Sequence, residues 1–196
     1  MNTKKGFTLL ELLIVIGILA ILSTTIVLVI NPAELLKKAR DAQRISDLNT
    51  LKTAIAYYVT ETPSPSMGVA AQTYSDVEGV TCFTAASATT TVTTDGLGWI
   101  PINFDDMAGG SPIGSLPTDP TGTAKDADPG YYYAYGVETT NHTFKLVANM
   151  ESATYKNTGP GDVESTDGGE DPDLYEVGTY MTLAITEGPN CYADVE

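Results

Sequence analysis

Lys4-Lys5-Gly6-Phe7-Thr8-Leu9-Leu10-Glu11-Leu12-Leu13-Ile14-Val15-Ile16-Gly17-Ile18-Leu19-Ala20-Ile21-Leu22 opens an apolar run that continues to Ile30 and decides the architecture of the chain. Residues 7–30 hold one charge, Glu11, and no proline. At the rise of an α-helix the run is roughly 36 Å long, enough for a bilayer core of about 30 Å. Lys4 and Lys5 precede it, so the positive-inside rule puts the first residues in the cytoplasm and everything after Ile30 outside. A removable secretory signal has a shorter apolar region, about 7–15 residues, and a small-residue cut site. Ile21-Leu22-Ser23-Thr24-Thr25-Ile26 offers no such site, and no Cys lies nearby for a lipoprotein signal. On hydropathy alone, a simple retained anchor stands beside any more specialised reading.

Glu11 argues for the specialised one. A carboxylate inside a membrane span costs a few kcal/mol unless paired. A cut after Gly6 gives Phe7 a new α-ammonium four residues before Glu11, on the same helical face. The cation of one subunit then meets the acid of another in the low-dielectric core of a bundle. The run resembles the class III signal of type IV prepilins and their pseudopilin relatives. That resemblance covers only this first stretch. It implies that a membrane aspartyl peptidase cuts between Gly6 and Phe7, that Phe7 is N-methylated, and that Glu11 guides assembly into a helical filament.

Downstream the composition changes. Residues 1–60 hold seven basic and four acidic residues, net +3, whereas residues 61–196 hold three basic against 21 acidic, net −18. The whole chain, at −15, is thus excluded as a general nucleic-acid binder on sign alone. One His and two Cys leave little for a transition-metal centre or His-based catalysis. No G-x-S-x-G, phosphate loop or nucleophile–His pairing is present, so no enzymatic activity is expected.

Leu35, Ala39, Ala42, Ile45, Leu48, Leu51, Ile55 and Tyr58 recur at helical spacing and predict one amphipathic stripe. Glu34 with Lys38 and Lys37 with Asp41 predict a solvated opposite face. No strong stop appears before Thr62-Pro63-Ser64-Pro65, so one spine of roughly 80 Å is expected over residues 7–60. Pro32 interrupts it, either as a kink or as the first residue of a second helix capped by Asn31. The Asn31-Pro32 stretch again resembles pilins that carry Asn-Pro after the span.

Beyond residue 60, a Thr-, Ser- and Gly-rich region to residue 98 reads as irregular, with weak strand signal at 80–83 and 90–93. Trp99-Ile100-Pro101-Ile102-Asn103-Phe104 reads as a short edge piece, because proline is unsuited to a central strand. Residues 131–137 and 143–149 flank a polar turn and predict a hairpin, and 174–183 supplies a further strand. Leu116-Pro117-Thr118-Asp119-Pro120 resembles the turn before the first strand of several pilins and major pseudopilins. Tyr131, Tyr132, Tyr133 and Tyr135 read as core on one face and inter-subunit packing on the other, with a ligand-stacking surface as the alternative.

Cys82 and Cys191 both fall in the exported part, and two Cys there read as one disulfide, with two reduced thiols as the alternative. Asp167, Asp171 and Asp173 lie in an acidic Gly turn whose hard oxygens suit Ca²⁺, although the EF-hand spacing is missing. A calcium loop in a comparable place in major pseudopilins speaks for the metal, but the solvated acidic loop is the preferred reading and calcium the alternative. Asn141-His142-Thr143 fits the N-glycosylation pattern in or beside a strand.

The expected fold is α+β: a leader over residues 1–6, a transmembrane and filament-core helix over 7–30, its amphipathic continuation over 31–60, and an acidic antiparallel β head over 61–196. The expected function is that of a type IV pilus subunit. Its expected partners are its own copies, prepilin peptidase, the inner-membrane assembly machinery and, before assembly, lipid. The expected location is a single-pass membrane precursor that becomes an extracellular filament. A pseudopilin of a secretion or DNA-uptake machine, and a monomeric membrane-anchored binding domain, are the alternatives. No cofactor is expected beyond the candidate Ca²⁺.

Overall fold

Thr8 starts the first helix. α1 spans Leu9–Ile30, and its cap is built from Thr8 and Glu11. It ends at Asn31, whose φ of 43° and ψ of 77° lie in the left-handed region that Asn tolerates better than most side chains. α2, Pro32–Glu61, begins at the next residue. Pro32 needs no donor at that first position. The Asn31 carbonyl accepts from Leu35 N–H at 3.2 Å and its Oδ1 from Glu34 N–H at 3.4 Å. The expected single spine is therefore two helices that meet at Asn31, with Asn31 closing the first and capping the second.

The structure, a computed structural model, describes residues 6–70, 72–77, 86–121, 131–183 and 185, without the side chains of 25–30, 86 and 88. It divides into two compact units, Met1–Lys37 and Lys38–Glu196. In the first, every described side chain of α1 is exposed. Among the described residues no helix is long and apolar enough to cross a membrane. The described side chains of α1 end at residue 24, short of the ~20 consecutive positions a span requires. The span expected over 7–30 is thus not found among the described residues.

In the second unit α2 buries Leu48, Leu51, Ala54, Ile55 and Tyr58, the lower part of the expected stripe. Higher up the expectation fails. Leu35, Ala39 and Ala42 are exposed, while Asp41 and Arg44 are fully buried. Helical period alone reads charged residues as a solvated face, whereas here polar segments of the head cover them.

The head is a five-stranded sheet in the order β2-β1-β3-β4-β5, from β1 (Thr73–Ser75), β2 (Ala86–Ala88), β3 (Tyr133–Glu138), β4 (Thr143–Ala148) and β5 (Tyr175–Gly178). The β1 and β2 pair is parallel and the other pairs are antiparallel. β1 and β2 arise in the region expected to be irregular, since three residues each carry no readable alternation. Residues 80–83 lie outside the described residues. Residues 90–93 form no strand, although the carbonyls of Thr91 and Val92 accept from Trp99 and Leu116 N–H at 2.9 and 2.8 Å.

Two apolar clusters flank the sheet. The larger joins Leu48, Leu51, Ile55 and Tyr58 of α2 to Tyr133, Tyr135, Phe144 and Leu146. Trp99, Ile100, Ile102 and Phe104 lie in this cluster with no exposed surface. They are core, not an edge piece: Pro101 keeps the segment out of a ladder but does not keep its neighbours from being buried. The second cluster puts Tyr132, Ala134 and Val147 against Val77, Leu174 and Ile185. The far face of the tyrosine strand is therefore filled from within the chain, where inter-subunit packing was expected.

Candidate functional site

The residues singled out at the N-terminus form one small constellation. Gly6 and Phe7 precede the helix, and Phe7 is 88% exposed. A peptide bond in this non-helical approach is open to a peptidase, whereas one inside the helical ladder is not. Thr8 is the N-cap: Glu11 N–H donates to its Oγ1 at 3.2 Å, and Thr8 N–H and Oγ1–H both donate to Glu11 Oε2 at 2.9 Å. This is a complete capping box. The sequence reading missed Thr8, although Thr-x-x-Glu is itself the signal for that box. Leu9, Leu10, Leu12 and Leu13 surround Glu11 in sequence, all exposed, so the acid stands within an exposed apolar surface.

In the head, Asp119 of the Leu-Pro-x-Asp-Pro turn has a defined task. Arg44 donates from Nε to Asp119 Oδ2 at 2.7 Å, from Nη2 to Oδ1 at 3.0 Å, and from Nη1 to Asp41 Oδ1 at 2.6 Å. Asp41 in turn accepts from Glu151 and Ser152 N–H at 2.8 and 2.7 Å. The Tyr131 ring closes over the Arg44 guanidinium at 4.5 Å. Arg40 adds a bidentate pair with Glu151. Asp76 accepts from Asp119 and Tyr133 N–H at 2.8 and 2.9 Å, and burial raises its carboxyl to about 7 against the pull of those bonds. Nothing here is a nucleophile beside a base. The cluster fastens helix, turn and sheet together.

Asp167, Asp171 and Asp173 do not form a cage. Asp167 accepts from Gly169 N–H at 2.7 Å and from Glu176 N–H, Asp171 from Asp173 N–H at 2.9 Å, and Asp173 from Asn157 Nδ2 at 3.2 Å. Among the described residues no group of three or more His, Cys, Asp or Glu is gathered as a metal site. The named oxygens of this set accept from backbone and amide N–H groups. Cys82 and Cys191 lie outside the described residues.

Residues 1–27 match the family model of the prokaryotic N-terminal methylation motif. No curated protein and no solved structure matches the chain. The matched motif covers the first 27 residues and is consistent with the class III signal of type IV pilins and pseudopilins.

Proposed function

We propose that this chain is a structural subunit of a type IV pilus, cut between Gly6 and Phe7, N-methylated at Phe7 and polymerised through residues 7–30. The observation that carries the reading is α1 itself, a helix that lies largely within the methylation motif and is apolar and exposed at nearly every described position. Such a surface requires cover, first by lipid and then by the same helix of neighbouring copies. The cut removes Lys4 and Lys5 and leaves net −17. It also creates the α-ammonium of Phe7, the one cation close to Glu11 in sequence. In the filament that ammonium meets the Glu11 carboxylate of a neighbour, replacing the Thr8 hydroxyl as its main partner. The acidic head, residues 61–196, then faces outward.

The test is Glu11→Ala, expressed as the only copy. Breaking a buried ion pair leaves one uncompensated charge and typically costs about 3–5 kcal/mol, whereas loss of a cap costs about 1 kcal/mol. The variant is expected to insert in the membrane and to begin at Phe7 by N-terminal sequencing, yet to give no sheared surface filaments by electron microscopy. Normal filaments, or a subunit that begins at Met1, would refute the reading. Wild-type protein that is processed but never found in surface filaments would place it in a secretion or DNA-uptake pseudopilus instead.

A further inference from the structure

We propose that Asn141 is the acceptor of an N-linked glycan, transferred from a lipid diphosphate-linked oligosaccharide after the head is exported. The chain has eight Asn, and only Asn141 is followed two positions later by Ser or Thr with a residue other than Pro between. The fold puts that one sequon at the tip of the hairpin joining β3 to β4, with Thr140 and Asn141 exposed. An N-x-[ST] site in a secreted protein works only where the Asn is on such a surface loop.

The turn is also built to tolerate a substituent. The ladder between β3 and β4 ends at Glu138 opposite Thr143, so no strand bond involves Asn141. The tip is held instead by Glu138, whose carboxylate accepts from Thr140 N–H at 2.6 Å, Asn141 N–H at 2.9 Å and Asn141 Nδ2 at 3.1 Å. An amide nitrogen has two hydrogens. Exchanging one for a sugar leaves the other for Glu138, so the turn survives the modification.

Beside the tip runs an open groove of about 400 Å³ whose lining includes Pro63, Ser64, Pro65, Ser66, Thr139 and His142. Among the described residues its lining carries no carboxylate or ammonium, on a head of net −18. Proline faces suit the C–H faces of pyranose rings, and the hydroxyl and imidazole groups suit sugar hydroxyls. The first sugars of a chain on Asn141 can lie along it.

In the transfer, Asn141 Nδ2 attacks C1 of the first sugar. The N–C1 bond forms, the bond from C1 to the phosphate oxygen breaks, and the lipid diphosphate leaves with that electron pair. The displaced Nδ2 proton passes to a carboxylate of the transferase. No oxidant or reductant enters.

The inference rests on export of residues 61–196, and the experiment separates the two. Full-length protein is recovered from the surface of the producing cells, its N-terminus sequenced, and tryptic peptide 126–145 analysed by mass spectrometry. The expected result is hexose or N-acetylhexosamine increments localised to Asn141, lost in N141Q and T143A and retained in T143S. A purely structural role for Thr143 does not produce that pattern of loss and retention. Unmodified Asn141 in surface protein that begins at Phe7 would overturn this inference and leave the pilus reading standing. Increments that persist in N141Q would overturn it as well.

Discussion

Arg44 brings a full charge to a site with no exposed surface, and each of its described contacts offsets part of that cost. Burial opposes its charge, yet hydrogen bonds and charge attraction from Asp119 and Asp41 outweigh it and hold the guanidinium protonated more firmly than in water. Removing one partner is therefore worse than removing the whole set. Asp119→Ala strands Nε and Nη2 of Arg44 in a place water does not reach, and breaking a buried pair this way costs about 3–5 kcal/mol. Urea denaturation read by the fluorescence of Trp99, the single Trp and wholly buried in the head, is expected to show that loss. Joining Arg44→Met and Asp41→Asn to Asp119→Leu is expected to recover most of it, because the set then holds no charge that needs a counter-charge. A triple variant as unstable as the single one would mean that the cluster contributes through shape and not through charge pairing.

At the scale of elements, two buried carboxylates act as staples between backbone segments. Asp76, just after β1, holds the 119 turn and the start of β3, while Glu164 accepts from Met150 and Asn157 N–H at 2.8 and 2.7 Å and closes the loop after β4. Burial raises each to about 7, above the ordinary values of 3.8 and 4.5. Between those limits the folded chain binds more protons than the unfolded one, so stability falls as pH rises through about 7 and is recovered on acidification. Between pH 8 and pH 5 the gain is of order 2 kcal/mol for each carboxyl. The Trp99 melting temperature is expected to rise over that range, and by less in Glu164→Gln; a flat profile in the wild type would contradict the assignment. Longer elements were legible from sequence where a period could repeat. Residues 179–183 form no strand, whereas the first part of the expected 174–183 strand, found as β5, follows from spacing, as do the buried lower stripe of α2 and strands β3 and β4. β1 and β2 do not, because three residues hold no period. Asp41 was misread, and Arg44 left unread, because a charged residue on a helix looks the same whether water or a folded turn covers it. The N-terminal constellation was legible in Gly6, Phe7 and Glu11, but the competing role of Thr8 depended on a cap whose partner is the very acid assigned to assembly. The acidic loop left two readings open for a related reason: carboxylates that bind backbone N–H groups have the same spelling as carboxylates that bind calcium.

For the whole molecule, charge sets the response to ions. The net −18 over residues 61–196 repels itself, and the Debye length shrinks from about 30 Å at 0.01 M salt to about 8 Å at 0.15 M. Salt of any kind is therefore expected to raise the melting temperature, while at matched ionic strength millimolar calcium, magnesium or a chelator give the same value. A rise specific to calcium would show that Asp167, Asp171 and Asp173 leave their present partners to bind it. The buried cluster also has a mechanical consequence. Residues 40–44 are tied to Asp119 and Glu151, 75 and 111 positions further along the chain, through bonds grouped within little more than one helical turn. Tension applied to α2 along its axis loads all of these bonds in shear at once, and none can peel away before the others. The head is thus clamped to its helix against tension along the helix axis.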